Sequence, residues 1–371
     1  MNSGGSDRPQ VTFYGNDQGA NNVLDCVQTV AAETFAVQRI PGLNVPIARE
    51  AVEQARKSAA VVLGLSTGRP EAAFARELLA QNSSLSGRLI FVEDFPGTAA
   101  TEPQAMQDIA PAATACTILP DSDEELQRFG YGGNQTVGAP DHWARILENM
   151  HCGRELRQSG ELQMRKRGQD ECVPVDPDTK IIYVSGFYDP QAEYNLLAHL
   201  LKGVSYCGGK SLVHFRAHPG EKNRPELQEG ITRREDLLAG KWEIANEDVA
   251  QAGRDSDARL AGVADAIVIH PGATIVHLAV TFCKNIVAIL ELASPSDWAT
   301  GYDFRLAEHN THLIEHVSDC RAALRDLFEN GSGAQRTLAE KQAKCAIPFD
   351  PHEPMGFGKK VMEVMRKVVR M

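Results

Sequence analysis

The sequence predicts an α/β protein built from two parallel-sheet halves. Three observations carry that expectation. Short apolar runs alternate with helical periodicity on both sides of a polar stretch at 151–178. Two of the apolar runs in the second half end in His-Pro-Gly, at 218–220 and 270–272, where a strand must stop. The last segment, Gly356–Met371, carries an apolar stripe of the kind that docks on a sheet-and-helix layer. Alternation of this sort is the βαβ signature of a parallel sheet covered by helices on both faces.

In chain order, residues 1–10 are polar and are expected to be disordered, and Val11–Tyr14 reads as the first strand, followed by the loop GNDQGANN. Val23, Val27, Val30 and Ala31 fall at i, i+4, i+7 and i+8, one face of a helix. Phe35–Ile40 reads as extended and Ile47–Lys57 as an amphipathic helix. Ala59–Leu65 is a buried-strand run that ends in Ser66-Thr67-Gly68-Arg69-Pro70, with a helix from Glu71 to Gln81. Arg88–Glu93 is the next strand, ending at Asp94-Phe95-Pro96-Gly97; shorter strands fit 116–119 and 135–137, with a helix at 122–129. The first domain is thus placed at 11–150 and a connector at 151–178, where charge and two prolines interrupt the alternation. The basic run Arg165-Lys166-Arg167 reads as a solvated face.

The second domain, 179–350, restarts with Lys180–Ser185, ending at Gly186, and a helix through Lys202. Strands follow at Ser211–Arg216, 242–245, Ala266–Ile269, 285–290 and 312–315, with helices at 255–263, 319–329 and 334–346. The closing helix, within 351–371, places Phe357, Val361, Val364, Met365 and Val368 on one side and is expected to pack back on the first domain.

Composition narrows the function. At 371 residues the chain exceeds the roughly 250–300 residues at which single cores split. Hydrophobic content of 43% and charged content of 23% are ordinary for a globular protein, and a net charge of −11 argues against a general nucleic-acid binder. The eight cysteines show no CxxC and no repeated spacing, so neither a zinc site nor a disulfide framework is expected. The start has no apolar signal-like run and no stretch approaches a membrane span, so a cytoplasmic location is expected. There is no HExxH, no P-loop GxxxxGK[ST] and no GxGxxG, which leaves zincin, NTPase and dehydrogenase chemistry without support.

The chemistry-bearing stretches are the two strand-to-helix turns. SLVHFRAHPGEK (211–222) supplies Arg216, His218 and Lys222; AIVIHPGATIVHL (266–278) supplies His270, the Gly272-Ala273-Thr274 turn and His277. At the carboxyl end of a parallel sheet, a guanidinium, imidazoles, an ammonium and glycine-permitted backbone amides suit a diphosphate. Either His-Pro-Gly alone reads equally well as a plain turn, and His270 and His277 as packing histidines. Two such turns at strand ends of one domain point to a ligand site.

Two consecutive Rossmann-like halves, a mid-chain connector and a terminal helix resemble the GT-B glycosyltransferase architecture, which includes UDP-sugar 2-epimerases and related hydrolases. Arg216-Ala217-His218-Pro219 resembles the HP motif of bacterial sialyl- and polysialyltransferases, and 264–279 resembles the stretch that holds the donor diphosphate. Residues 117–141 are similar to the end of the N-terminal domain in the same group. The sequence departs from that pattern at His277, where a ribose-binding Glu is common, and at Asn285, where a proline usually stands. It also lacks the acidic-acidic-Gly motif of the sialyltransferases.

The resemblance implies two domains facing across a cleft, with an N-terminal acceptor domain and a C-terminal nucleotide-donor domain. The donor would contact Ser185, Gly186, Arg216, His218, Lys222, Glu247, Gly272, Ala273, Thr274 and His277. A base on the acceptor side would be Asp17, in its Gly-containing loop, or Glu93 or Asp94, which alternate in direction on an extended backbone; His218 could also take part in the chemistry. Asp17 reads equally well as a helix N-cap, and Ser66-Thr67 as a cap or an acceptor contact. The expected function is a glycosyltransferase using a nucleotide sugar as donor substrate, with an acceptor of unknown identity, no tightly bound cofactor and no metal. The alternatives are a GT-B-shaped binding or regulatory protein and a sugar-nucleotide epimerase or hydrolase.

Overall fold

The computed structural model describes residues 8–16, 18–42, 47, 49–65, 69–94, 106–118, 130–186, 189–202, 205–206, 209–217, 221, 224–250, 253–269, 284–292, 311–329, 332–345 and 356–370. The chain divides into two compact units, Met1–Ala144 with His352–Met371, and Arg145–Pro351.

The first unit contains β1 (Gln10–Tyr14), α1 (Gln18–Ala31), β2 (Ala36–Ile40), α2 (Arg49–Ala55), β3 (Ala60–Leu65), α3 (Arg69–Gln81), β4 (Leu89–Glu93), β5 (Ala113–Thr117) and β6 (Gly133–Thr136). Its six strands lie in the order β2-β1-β3-β4-β5-β6, every pair parallel. The strands alternate their side chains between two apolar layers. Leu63, Leu65, Leu89 and Phe91 pack with Ala55, Phe74 and Leu78 of α2 and α3. Val11, Phe13, Ile90 and Val92 pack on the other face with Val23, Leu24 and Val27 of α1. The helix expected at 122–129 lies outside the described residues.

Helix α4 (Asp141–Ser159) runs through the expected start of the connector, and residues 151–178 continue into β7 (Gln163–Lys166) and β8 (Cys172–Pro174). These two strands and β12 (Trp242–Ile244) form a separate antiparallel sheet in the order β12-β7-β8. The basic run sits there: Arg165 and Arg167 both pair with Glu243, and the Lys166 ammonium lies 5.5 Å from the Trp242 ring centroid.

The main sheet of the second unit uses β9 (Lys180–Ser185), β10 (Ser205–Tyr206), β11 (Gly209–Arg216), β13 (Ala266–Ile269), β14 (Asn285–Ile289) and β15 (His312–Ile314). Its order is β10-β11-β9-β13-β14-β15, parallel except for the β10–β11 hairpin. With the hairpin strand set aside, this is the arrangement of the first five strands of the first unit: the second strand on one side of the first, the third, fourth and fifth on the other. Such a sheet reverses direction beside its first strand, and open α/β folds bind ligands at that point, beyond the carboxyl ends.

The helices of this unit are α5 (Pro190–Leu201), α6 (Gln228–Leu238), α7 (Glu247–Ala250), α8 (Arg254–Val263), α9 (Cys320–Phe328) and α10 (Gly333–Cys345). Ile182, Val184, Val213 and Phe215 pack with Leu196, Leu200, Leu238, Leu324 and Leu327. Helices α4 and α8 approach through glycines: a Cβ on Gly262 would stand 2.0 Å from the Met150 carbonyl oxygen.

The chain ends in α11 (Phe357–Arg370). Phe357, Val361, Val364, Met365 and Val368 are buried with α1 and the strands of the first unit, as the periodicity predicts. Gly358 permits the contact, because a Cβ there would come within 2.6 Å of the Cys26 carbonyl oxygen.

Candidate functional site

At the carboxyl edge of the second unit's sheet, Arg216 and Ser185 are register partners on β11 and β9. The Gly186 amide donates to the Arg216 carbonyl over 2.8 Å, extending the ladder one step past both strands. β9 and β11 therefore end side by side at this edge.

The Arg216 side chain turns inward. Its guanidinium is buried, pairs with Asp257 of α8 at 2.7 Å and donates to the Val249 carbonyl of α7. Burial pushes the Asp257 carboxyl up from its usual range, and Arg216 opposes that shift without cancelling it. Arg216 thus ties the end of β11 to α7 and the first turn of α8. Its charge is already matched before any ligand arrives. Glu247, two residues before Val249, opens α7 and is exposed.

Two further groups on these strands are held neutral. Burial, with Arg216 and Arg167 nearby, lowers the His214 imidazole to about 3. Neutral, it accepts the Ile244 backbone N–H at Nδ1 over 3.1 Å and binds β12 to β11. Burial, with Asp257 adding to it, raises the Tyr183 phenol.

Of the sequence-predicted donor residues, the structure brings Ser185, Gly186 and Arg216 together and sets Glu247 on the helix that Arg216 holds. His218, Lys222, His270, Gly272, Ala273, Thr274 and His277 lie outside the described residues, as does Asp17.

In the first unit, Glu93 and Asp94 sit at the end of β4. Both are buried, Glu93 completely. The Glu93 carboxylate accepts the Ile118 amide over 2.8 Å and so ties β4 to the end of β5. Its charge also helps burial raise the neighbouring Cys116 thiol and Tyr131 phenol. The Asp94 amide donates to the Leu65 carbonyl over 3.0 Å.

Sequence reasoning passed over several charged residues. Glu71, read only as the start of a helix, is fully buried in the first turn of α3 and accepts the Asn16 amide over 2.8 Å. It fixes the residue before Asp17 and, after burial, is the second cause of the rise of the Tyr14 phenol to about 12. The run Gly64-Leu65-Ser66-Thr67-Gly68, between β3 and α3, also fits the GxSxG pattern. The histidines of that unit are His142 and His352, and Ser66 lies outside the described residues. Asp257, Glu193, Glu221 and Arg234 were missed as well. Among the described residues, no group of three or more His, Cys, Asp or Glu side chains is placed to hold a metal ion, and no helix is long and apolar enough to cross a membrane.

No protein-family model matches the chain, and no curated protein matches it. Solved structures do. The S. aureus MnaA–UDP co-structure superposes with a TM-score of 0.54 at 10% identity, covering 98% of this chain and 97% of that one. Anabaena HepE in complex with UDP gives 0.51 at 12% identity, covering 96% and 100%. UDP-N-acetylglucosamine 2-epimerase from Rickettsia bellii gives 0.51 at 12% identity, covering 98% and 96%. The shared feature is the fold. It is the two-unit, Rossmann-like architecture of the GT-B class, and the match spans nearly the whole of each chain. Nothing in these likenesses singles out the HP motif of the sialyltransferases.

Proposed function

We propose that this protein is a glycosyltransferase that takes its sugar from a nucleotide-activated donor held at the carboxyl edge of the second unit's sheet. The observation that carries the reading is the pairing of Ser185-Gly186 with Arg216 at that edge, beside the strand-order reversal. Two of the three similar structures named above are UDP complexes, which supports a nucleoside diphosphate as the donor's leaving group.

In this reading Arg216 orients the strand end, and His218 and Lys222 supply the direct phosphate contacts. The Gly272-Ala273-Thr274 amides add backbone donors, with Glu247 and His277 on the nucleoside side. Asp17 is the proposed base on the acceptor side, ahead of Asp94 and Glu93. The acceptor hydroxyl oxygen bonds to the anomeric carbon, the bond from that carbon to the phosphate oxygen breaks, and the nucleoside diphosphate leaves. Asp17 takes the hydroxyl proton. The proposed setting is the cytoplasm. A second reading, a sugar-nucleotide epimerase, is favoured by the likeness to the Rickettsia bellii enzyme; it would change the sugar without any acceptor.

Calorimetry with UDP, and with the other nucleoside diphosphates, tests the site. Wild type is expected to bind one of them, and His218→Ala and Lys222→Ala each to lose about 1.5–3 kcal/mol as a charge-assisted contact disappears. Failure of wild type to bind any nucleoside diphosphate, or unchanged affinity in both variants, would overturn the assignment. With a donor in hand, sugar transfer that Asp17→Asn slows by roughly 10²–10⁴-fold supports the transferase. An altered sugar formed without acceptor supports the epimerase.

A further inference from the structure

The second unit buries a charged cluster between α5, α6 and the end of β11. Arg234 on α6 is 1% exposed, Glu193 on α5 is 0% exposed and Glu221 is 4% exposed. The guanidinium takes Glu221 as a two-pronged fork, Nη1 to Oε2 at 2.8 Å and Nη2 to Oε1 at 2.7 Å. Nη1 also donates to Glu193, while Nε and Nη2 donate to Glu235 at 3.3 and 3.0 Å. The plane of Arg234 lies over the Phe215 ring, 4.6 Å from its centroid. Burial works against the cation, but the Glu221 and Glu193 contacts more than offset it and hold Arg234 charged.

The placement of these partners is informative. Phe215 is the penultimate residue of β11 and Glu221 is the first described residue after its loop, so one guanidinium grips both feet of that loop. Glu193 stands in the first turn of α5, whose cap Asp189 accepts the Gln191 and Ala192 amides at 3.1 and 3.0 Å. That helix begins where the loop after β9 ends. Arg234 therefore joins the loops following β9 and β11, the same two that leave the sheet side by side at Ser185 and Arg216. A buried ion pair adds little stability over an apolar filling of the same volume, so a cluster with more carboxylates than cations calls for another reason. Fork geometry supplies one, because it fixes direction as well as distance.

We propose that Arg234, with Glu193 and Glu221, is a positioning residue: it fixes the start of α5, Phe215 and Glu221 relative to one another, and so sets the ends between which the proposed phosphate contacts lie. The proposal rests on the nucleotide-binding reading above, but its first test does not. Arg234→Lys keeps the charge and loses the fork. Glu221→Gln keeps the shape, and it leaves Arg234 paired with Glu193, so folding persists. Backbone hydrogen exchange, read by mass spectrometry on a peptide covering 217–224, is expected to quicken at least tenfold in both variants, while the strands of both sheets keep wild-type protection. Wild-type exchange across 217–224 in both folded variants would overturn the proposal.

The second test separates positioning from general support. UDP affinity is measured by calorimetry for wild type, Arg234→Lys, His218→Ala and the double variant. Arg234→Lys is expected to weaken binding at least tenfold, and adding His218→Ala to it should cost less than a further twofold, since the imidazole is already misplaced. A full His218→Ala loss in the Arg234→Lys background would overturn the proposal. Wild type that binds no nucleoside diphosphate would overturn the functional reading instead, with the exchange measurement still deciding the clamp.

Discussion

His214 shows how one buried neutral residue can join two sheets. It is buried, neutral and bonded through Nδ1 to the Ile244 amide, so protonation would remove an acceptor and bury a charge. Its folded pKa, about 3, lies below the usual value near 6.5. The unfolded chain therefore binds the extra proton, and the contribution to stability is full above about pH 6.5 and is lost as pH falls toward 3. Each pH unit in that window costs about 1.4 kcal/mol from this group. His214→Asn offers a similar acceptor and no titration. Urea unfolding at pH 7 and pH 5 is expected to show wild type losing more stability than the variant; equal losses would contradict the assignment. Little of this was legible in the sequence. His214 reads as one polar residue in a strand, and its partner Ile244 is thirty residues away on a strand that belongs to another sheet.

At the scale of elements, period and contact decide what sequence can show. Helix α11 was legible because its apolar residues recur on one stripe, and the structure buries that stripe against α1. Gly358 in its first turn would normally be improved by alanine, by about 1 kcal/mol. Here the added methyl would meet the Cys26 carbonyl, so overpacking wins. Gly358→Ala is expected to destabilise the protein by about 1–3 kcal/mol, seen as a lowered thermal midpoint; an unchanged or raised midpoint would contradict the packing.

Helix α6 was missed for the opposite reason. Its buried side is Arg234 and Leu238, with Ile231 half-buried, and the charge on that side hides the stripe in a run that reads as polar. Helix α4 was legible only in part: a helix fits inside the 151–178 connector, but its start at Asp141 was missed, because its buried apolar residues, Trp143, Ile146, Leu147 and Met150, occupy the first half and the second half reads as linker.

At the scale of the whole molecule, the alternation of strands and helices made both sheets readable, and five parallel strands of each follow one order, with β6 added at the edge of the first sheet and β10 at the opposite edge of the second. The departure of β12 into the small antiparallel sheet was not readable, because three-residue strands carry almost no period. The carboxyl edge of the second unit's sheet was partly readable. Pro and Gly mark the loops, and Arg216 stands where the motif placed it. The inward turn of its guanidinium was hidden, since Asp257 and Val249 reach it only through the fold.

The central claim is that the carboxyl edge of the second unit's sheet, at the reversal beside β9, receives a nucleoside diphosphate. A crystal structure of the protein soaked with UDP tests it most directly. The account predicts density for the diphosphate beside the Ser185-Gly186 step and the end of β11, with Arg216 still paired to Asp257. Ordered nucleotide bound elsewhere, or an edge left empty at saturating UDP, would contradict it.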